Sequence, residues 1–191
     1  ISFSVTGSQA ETAEDGLPVI LVRVENTPIQ VEIAKTDLTD GKPVPGAHLQ
    51  IRDASGQVLY QWVTGEEPYR ISAIPAGEYM LEETLPPRED GYVQSEAVPF
   101  TVEETGEIQR VTMTNDHTRV QVCKTDAETG EPLAGASLEI RDAEGNVVHS
   151  WVSGEEPELV EYLPVGTYTL AETQAPEGYL PAEPVAFTVE E

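Results

Sequence analysis

A single cysteine, Cys123, leaves no internal disulfide framework to staple this chain. Basic residues are scarce: 10 Lys and Arg stand against 35 Asp and Glu, a net charge of −25 that repels phosphate backbones and anionic lipid surfaces alike. Nucleic acid and membrane contact are therefore not expected. No apolar run approaches the length that crosses a bilayer; the longest, residues 17–22, is interrupted by Pro18. No secretory leader opens the chain at Ile1, and the reading is a mature piece or an excised fragment. Phosphate loop, dinucleotide fingerprint and nucleophile elbow are all missing, so a turnover enzyme is not expected. His48, His117 and His149 lack zinc-site spacing and read as surface or loop histidines. Asp126 and Glu128, beside Thr129-Gly130, read as a capped turn and not as a calcium loop. No metal and no cofactor is expected.

What is present is an internal repeat. Lys35-Thr36-Asp37 recurs as Lys124-Thr125-Asp126, Ile51-Arg52-Asp53-Ala54 as Ile140-Arg141-Asp142-Ala143, and Trp62-Val63-Thr64-Gly65-Glu66-Glu67-Pro68 as Trp151-Val152-Ser153-Gly154-Glu155-Glu156-Pro157, each pair 89 positions apart. Pro87-Arg88-Glu89-Asp90-Gly91-Tyr92 is answered by the shorter Pro176-Glu177-Gly178-Tyr179, a two-residue difference of the kind surface turns tolerate. A period this long indicates duplicated domains, since solenoid units are shorter. Phe3-Ser4-Val5 resembles Phe100-Thr101-Val102, and Val22-Arg23-Val24-Glu25-Asn26 resembles Val111-Thr112-Met113-Thr114-Asn115. The expected organisation is closing strands of a preceding repeat over 1–27, a complete domain over 28–116, and a second domain over 117–191 without its last strand.

Within a repeat, short segments rich in Val, Ile, Tyr and Thr alternate in polarity between Gly, Pro and Asp turns. Helical periodicity is absent. Strands are expected over 31–35, 47–52, 58–63, 78–83 and 108–114, and several short antiparallel strands in about 90 residues indicate an all-β fold of tandem Greek-key sandwiches. Trp62 and Trp151 lie on such strands and read as core packing; Cys123 points outward by alternation and reads as an exposed thiol.

Residues two apart on a strand share a face. Val31, Ile33 and Lys35 therefore point one way, as do Tyr79, Leu81 and Glu83, and Val111, Met113 and Asn115. In each row two apolar residues face the core and a polar one ends the series. The second repeat copies this with Val120, Val122, Lys124 and with Tyr168, Leu170, Glu172. A buried ammonium or carboxylate is costly unless paired or neutralised. Burial lowers a lysine pKa and raises that of a carboxyl, which makes a neutral amine beside a protonated acid accessible. Such an amine held against the Asn115 carboxamide is a nucleophile placed by the fold, and Glu83 is the group to protonate the amide oxygen and shuttle the proton that lets ammonia leave. The product is an amide between Lys35 and Asn115. The competing reading is a lysine that snorkels at a strand end and pairs with Glu83 without forming a bond.

The pattern Lys-Thr-Asp, then Gly46-Ala47 or Gly135-Ala136, then Leu163-Pro164-Val165-Gly166-Thr167-Tyr168-Thr169-Leu170-Ala171-Glu172-Thr173-Gln174-Ala175-Pro176-Glu177-Gly178-Tyr179, resembles Cna-B-type (SpaA-like) domains of Gram-positive pilins and adhesin stalks. That resemblance implies a prealbumin-like sandwich, an extracellular, cell-wall-anchored location, and an autocatalytic Lys–Asn isopeptide bond assisted by a glutamate. Carried across by motif, Lys35, Glu83 and Asn115 fit the first repeat, and Lys124 and Glu172 fit the second. Leu85-Pro86-Pro87 stands where the family prefers Ala-Pro. For the second repeat the acceptor is expected from Asn26 of another molecule, whose residues 1–27 would complete the sandwich in head-to-tail self-association. The expected partners are neighbouring repeats of the same surface protein. A spacer role in a stalk is the reading preferred, with a module that binds a host protein or glycan as the alternative.

Overall fold

The structure, a computed structural model, describes residues 9–12, 18–21 and 24–190. The matches carried by Phe3-Ser4-Val5 and Val22-Arg23 fall outside the described residues. Between them, β1 (Gln9–Thr12) and β2 (Pro18–Leu21) pair antiparallel. Asn26 lies outside any strand and is exposed.

The first repeat is a two-layer sandwich. One layer holds β3 (Gln30–Asp37) between β6 (Tyr69–Ser72), which runs antiparallel to it, and β9 (Ile108–Asn115), which runs parallel. The other layer is β5 (Val58–Val63), β4 (His48–Asp53), β7 (Gly77–Leu85) and β8 (Val98–Val102), all antiparallel in that order. The second repeat reproduces the four-stranded layer with β12 (Val147–Val152), β11 (Ser137–Arg141), β14 (Gly166–Gln174) and β15 (Val185–Val189), and pairs β10 (Arg119–Val122) with β13 (Glu158–Glu161). Among the described residues there is no α-helix, only one turn of 3-10 helix at Arg88–Asp90.

Alternation builds the core. Along β3 the residues facing inward, Val31, Ile33, Lys35 and Asp37, are buried and those between them are half-buried. Ile51, Leu81, Met113, Val102 and Tyr79 meet this row from the other strands, with Trp62 and Phe100 packed at the margin. Trp62 stacks on Tyr69 with ring centroids 4.4 Å apart. A tyrosine pins each sandwich: the Tyr79 hydroxyl donates to the Pro75 carbonyl at 2.9 Å and the Tyr168 hydroxyl to the Pro164 carbonyl at 2.8 Å. Register irregularities fall at matching places, between Ile51 and Arg52 and between Ile140 and Arg141, so the duplication extends to the bulges of the sheet. The hairpin after β4 turns on Asp53, whose Oδ1 accepts the N–H groups of Ser55 and Gln57, and on Gly56 at φ +86°, a conformation that favours glycine. Asp126 caps its turn in the same manner, accepting the N–H groups of Glu128 and Thr129.

Ile51 is fully buried, whereas Val63 on the neighbouring strand is 54% exposed. Ile51→Ala should destabilise the first repeat by about 2–5 kcal/mol and Val63→Ala by less than about 0.5 kcal/mol, measured by chemical denaturation.

Candidate functional site

Parallel pairing of β3 with β9 sets Asp37 opposite Asn115 and Lys35 opposite Met113, which brings the polar ends of both inward rows to one pole of the sandwich. β7 supplies Glu83 from the facing layer. All three side chains are buried: Lys35 and Glu83 expose 1% and 0% of theirs to solvent, and Asn115 is fully enclosed.

The Glu83 carboxyl bridges the other two. Its Oε1 lies 3.4 Å from Lys35 Nζ, and its Oε2 accepts from Asn115 Nδ2 at 2.9 Å. Asn115 Nδ2 also donates to the Val93 carbonyl at 2.6 Å. A carbonyl can only accept, so Val93 fixes which end of the carboxamide is the nitrogen. Among the described residues, Glu83 Oε1 and Asn115 Oδ1 are buried without a hydrogen-bond partner. Oε1 is left with the Lys35 ion pair alone, and Asn115 Oδ1, with no hydrogen-bond partner, is of a kind that is rare and costly in a core. Burial lowers the Lys35 ammonium from 10.5 to about 8, with the Glu83 carboxylate opposing that shift. The amine is therefore far more often neutral than an exposed lysine would be at the same pH.

One participant carries no signal in the sequence. Ser95, on the segment between β7 and β8, accepts from Lys35 Nζ at 2.5 Å and donates to the Thr114 carbonyl at 2.6 Å, while its N–H donates to Glu83 Oε2 at 2.6 Å. Ser95 thus orients both the amine and the carboxyl. A serine in a loop looks like any other turn residue, and only the fold places it against Lys35.

In the second repeat Lys124 Nζ is 4.0 Å from Glu172 Oε1, and the lysine side chain is 18% exposed. The Ala182 N–H donates to Glu172 Oε2 at 2.6 Å, as Ser95 does to Glu83, but alanine offers no hydroxyl to the lysine. Among the described residues no hydrogen bond or ion pair joins Asn26 to Lys124 or Glu172. Cys123 is exposed. His48 is exposed and His149 is half-buried, its ring 2.9 Å from Glu158 Oε1. His117 departs from the surface reading: it is 4% exposed, and it lies in the three-residue connection between β9 and β10, where both repeats close over it.

Comparison with known proteins agrees with this architecture. The family model described as SpaA, a prealbumin-like fold domain, matches residues 29–117 and again 118–191. No curated protein matches the chain. Among solved structures, the Bacillus anthracis TIE protein is similar at 26% identity and a TM-score of 0.55, covering 92% of this chain and 36% of that one. The chain thus spans about a third of that relative's length. A Streptococcal ancillary pilin is similar at 22% identity and a TM-score of 0.46, over 100% of this chain and 69% of that one. The shaft pilin SpaA of Lactobacillus rhamnosus GG is similar at 18% identity and a TM-score of 0.42, over 86% of this chain and 94% of that one.

The depressed Lys35 value has a direct readout. In an Asn115→Ala chain, which keeps the amine free, Lys35 should titrate near 8 by NMR of its side chain, while Lys42, beside the Asp40 carboxylate, is held above the ordinary lysine value. Between about 8 and 10.5 the unfolded chain holds the extra proton, so stability of that variant should rise with pH across this window and be flat below it.

Proposed function

Because the chain belongs to the SpaA prealbumin-like domain family, we propose that it is a run of stalk repeats from a bacterial cell-surface protein, a pilin or an adhesin, whose first repeat is closed by an amide between Lys35 and Asn115. The organisation proposed is a complete domain over 28–116, a second over 117–191, and closing strands of a preceding repeat over 1–27. The observation that carries the reading is the fully buried Lys35–Glu83–Asn115 cluster, with one carboxyl touching both the amine and the carboxamide.

The chemistry follows from those contacts. Lys35 Nζ, as the neutral amine, attacks the Asn115 carboxamide carbon. The Glu83 carboxylate takes the proton the amine sheds, and the carboxylic acid so formed gives that proton to the Asn115 nitrogen beside it, which leaves as ammonia. One C–N bond forms and one breaks, and no oxidant or cofactor enters. The fold holds both reactants at high effective concentration, so the event happens once per molecule without turnover. Of the two roles expected of Glu83, on the carboxamide oxygen and on the departing ammonia, the contact of Oε2 with Asn115 Nδ2 supports the second.

The amide would close a loop on the order of 80 residues, worth about 4 kcal/mol if it constrains the unfolded chain as a disulfide of that span does. Its mechanical effect is larger. Tension applied at the ends of the repeat would run through a covalent link between β3 and β9, and the strands between them would not be pulled open. For the second repeat we propose the same chemistry between Lys124, assisted by Glu172, and an asparagine on a strand laid along β10, supplied by Asn26 of another molecule.

Intact mass tests the first bond. The purified chain should be lighter than its sequence by one ammonia, and peptide mapping should join Lys35 to Asn115; an unaltered mass would reduce the cluster to a buried ion pair. Glu83→Gln should slow bond formation by about 10²–10⁴-fold. Head-to-tail bonding should appear as multimers that survive denaturing electrophoresis and vanish in Lys124→Ala; a strictly monomeric chain would refute it.

A further inference from the structure

Connections between domains are usually exposed and polar. Here the connection is three residues, Asp116, His117 and Thr118, of which His117 and Thr118 are 4% and 5% exposed. Backbone hydrogen bonds lace it to both sides: the Thr118 N–H donates to the Gly91 carbonyl at 2.9 Å, and the Tyr162 N–H donates to the Thr118 carbonyl at 3.0 Å. The Thr118 hydroxyl donates to the Leu163 carbonyl at 2.5 Å.

Tyr162 is the residue at the corner between β13 and β14, held at φ +60°. Its ring stacks on His117 with centroids 3.8 Å apart and meets Tyr92 edge-on at 5.6 Å. Its hydroxyl reaches across the repeat boundary and donates to Asp37 Oδ2 at 2.9 Å. Burial pushes the Asp37 carboxyl up, but hydrogen bonds from the Thr39 and Asp40 N–H groups and from the Tyr162 and Tyr92 hydroxyls outweigh it and hold the carboxyl below its ordinary range. Gly91, at φ +77°, closes the seat: a Cβ there would lie 2.3 Å from the Tyr162 carbonyl carbon, so any larger residue would push the corner out.

The two repeats differ at this joint: His117, Thr118 and Tyr162 stand where the first repeat has Pro28, Ile29 and Ala73. Ala73 occupies the matching corner of the first repeat at φ +61°, and its N–H donates to the Ile29 carbonyl as that of Tyr162 does to Thr118, yet it has no ring to stack. Three of the seat's elements recur in the second repeat, where the Tyr179 hydroxyl donates to Asp126 Oδ2 at 2.7 Å beside Gly178 at φ +88°. The corner backbone thus belongs to both repeats, and the tyrosine stands on the corner that meets the pole of the first repeat.

We infer that Asp37, Gly91, Tyr92 and His117 form a docking seat at the pole of the first repeat, that Tyr162 of the second repeat is the key it selects, and that their engagement fixes the two sandwiches as one stiff body. This does not depend on the Lys35–Asn115 amide. The stack and the hydroxyl bond constrain different motions: stacking on His117 limits bending, and the bond to Asp37 limits rotation about the connection.

Backbone 15N relaxation and residual dipolar couplings on the whole chain test it. The wild-type repeats should share one tumbling time and one alignment frame. Tyr162→Ala should separate them, with each repeat's tumbling time falling to about half as the volume that moves together halves. Tyr162→Phe, which keeps the ring and loses the bond to Asp37, should leave tumbling slow but let the alignment frames diverge. Gly91→Ala should mimic Tyr162→Ala, and Ala73→Ser, at the corner without a key, should change nothing. Chemical shifts within each repeat report whether a variant still folds. Independent tumbling in the wild type, or common tumbling that survives Tyr162→Ala in a folded chain, would overturn the inference.

Discussion

Parallel pairing of β3 with β9 is the constraint on which the first repeat depends. It joins the earliest strand of the domain to its latest through eight matched positions, from Gln30 beside Ile108 to Asp37 beside Asn115. Contacts so far apart in sequence are expensive in chain entropy, and the hydrophobic rows of both strands supply the return. Val31, Ile33 and Met113 are essentially without solvent exposure because each strand covers the other's flank. Where the described residues of the second repeat give β10 only β13 as a neighbour, the matching Val120 and Val122 are no more than half-buried, and Lys124 is partly exposed where Lys35 is sealed.

That sealing decides the chemistry. An ion pair in a dry core returns little stability, since the desolvation of both charges offsets their attraction. A lysine and a glutamate buried with an asparagine are thus a poor way to hold a sandwich together if they stay as they are. Conversion to an amide would remove the titratable amine and leave groups that hydrogen bonds can satisfy. The buried oxygens of Glu83 and Asn115 that lack a hydrogen bond are intelligible on the same terms: one faces the amine and the other belongs to the carboxamide that the proposed step converts. Ser95 adds a second acceptor for the amine, whereas the alanine at the matching place offers Lys124 no hydroxyl.

Much of this was legible in the alternation of residues. The expected strands over 31–35, 58–63, 78–83 and 108–114 fall within or upon β3, β5, β7 and β9, because Gly, Pro and Asp turns bracket short runs of β-branched residues. The inward rows were readable for the same reason, since a period of two assigns every side chain to a face. Sequence could not say that β9 runs parallel to β3, because both pairings have the same periodicity. Ser95 and the seat for Tyr162 were illegible too: each depends on a loop returning to a pole, and loop residues carry no periodic signal. His117 read as a surface histidine because an isolated polar residue between strands is usually solvated; it is buried because the second repeat closes over it.

The proposed cross-link and the joint converge on the same two strands. Asp37, which receives Tyr162, lies two residues beyond Lys35 on β3, and the connection to the second repeat leaves β9 directly from Asn115. Force arriving from the second repeat would reach the β3–β9 pair along the backbone that leaves β9 at Asn115 and through the side-chain bond to Asp37 on β3, with Gly91 and Tyr92 taking part of the load beside them. Without a bond between those strands, the two loaded points could be drawn apart and the sheet unzipped from its pole. An amide from Lys35 to Asn115 would tie them at the level where the load arrives. A stiff joint is useful to a stalk only if the domain beneath it does not open, and a locked domain transmits orientation only if its joint is stiff. The adjacency of Lys35, Asp37 and Asn115 lets one pair of strands meet both demands.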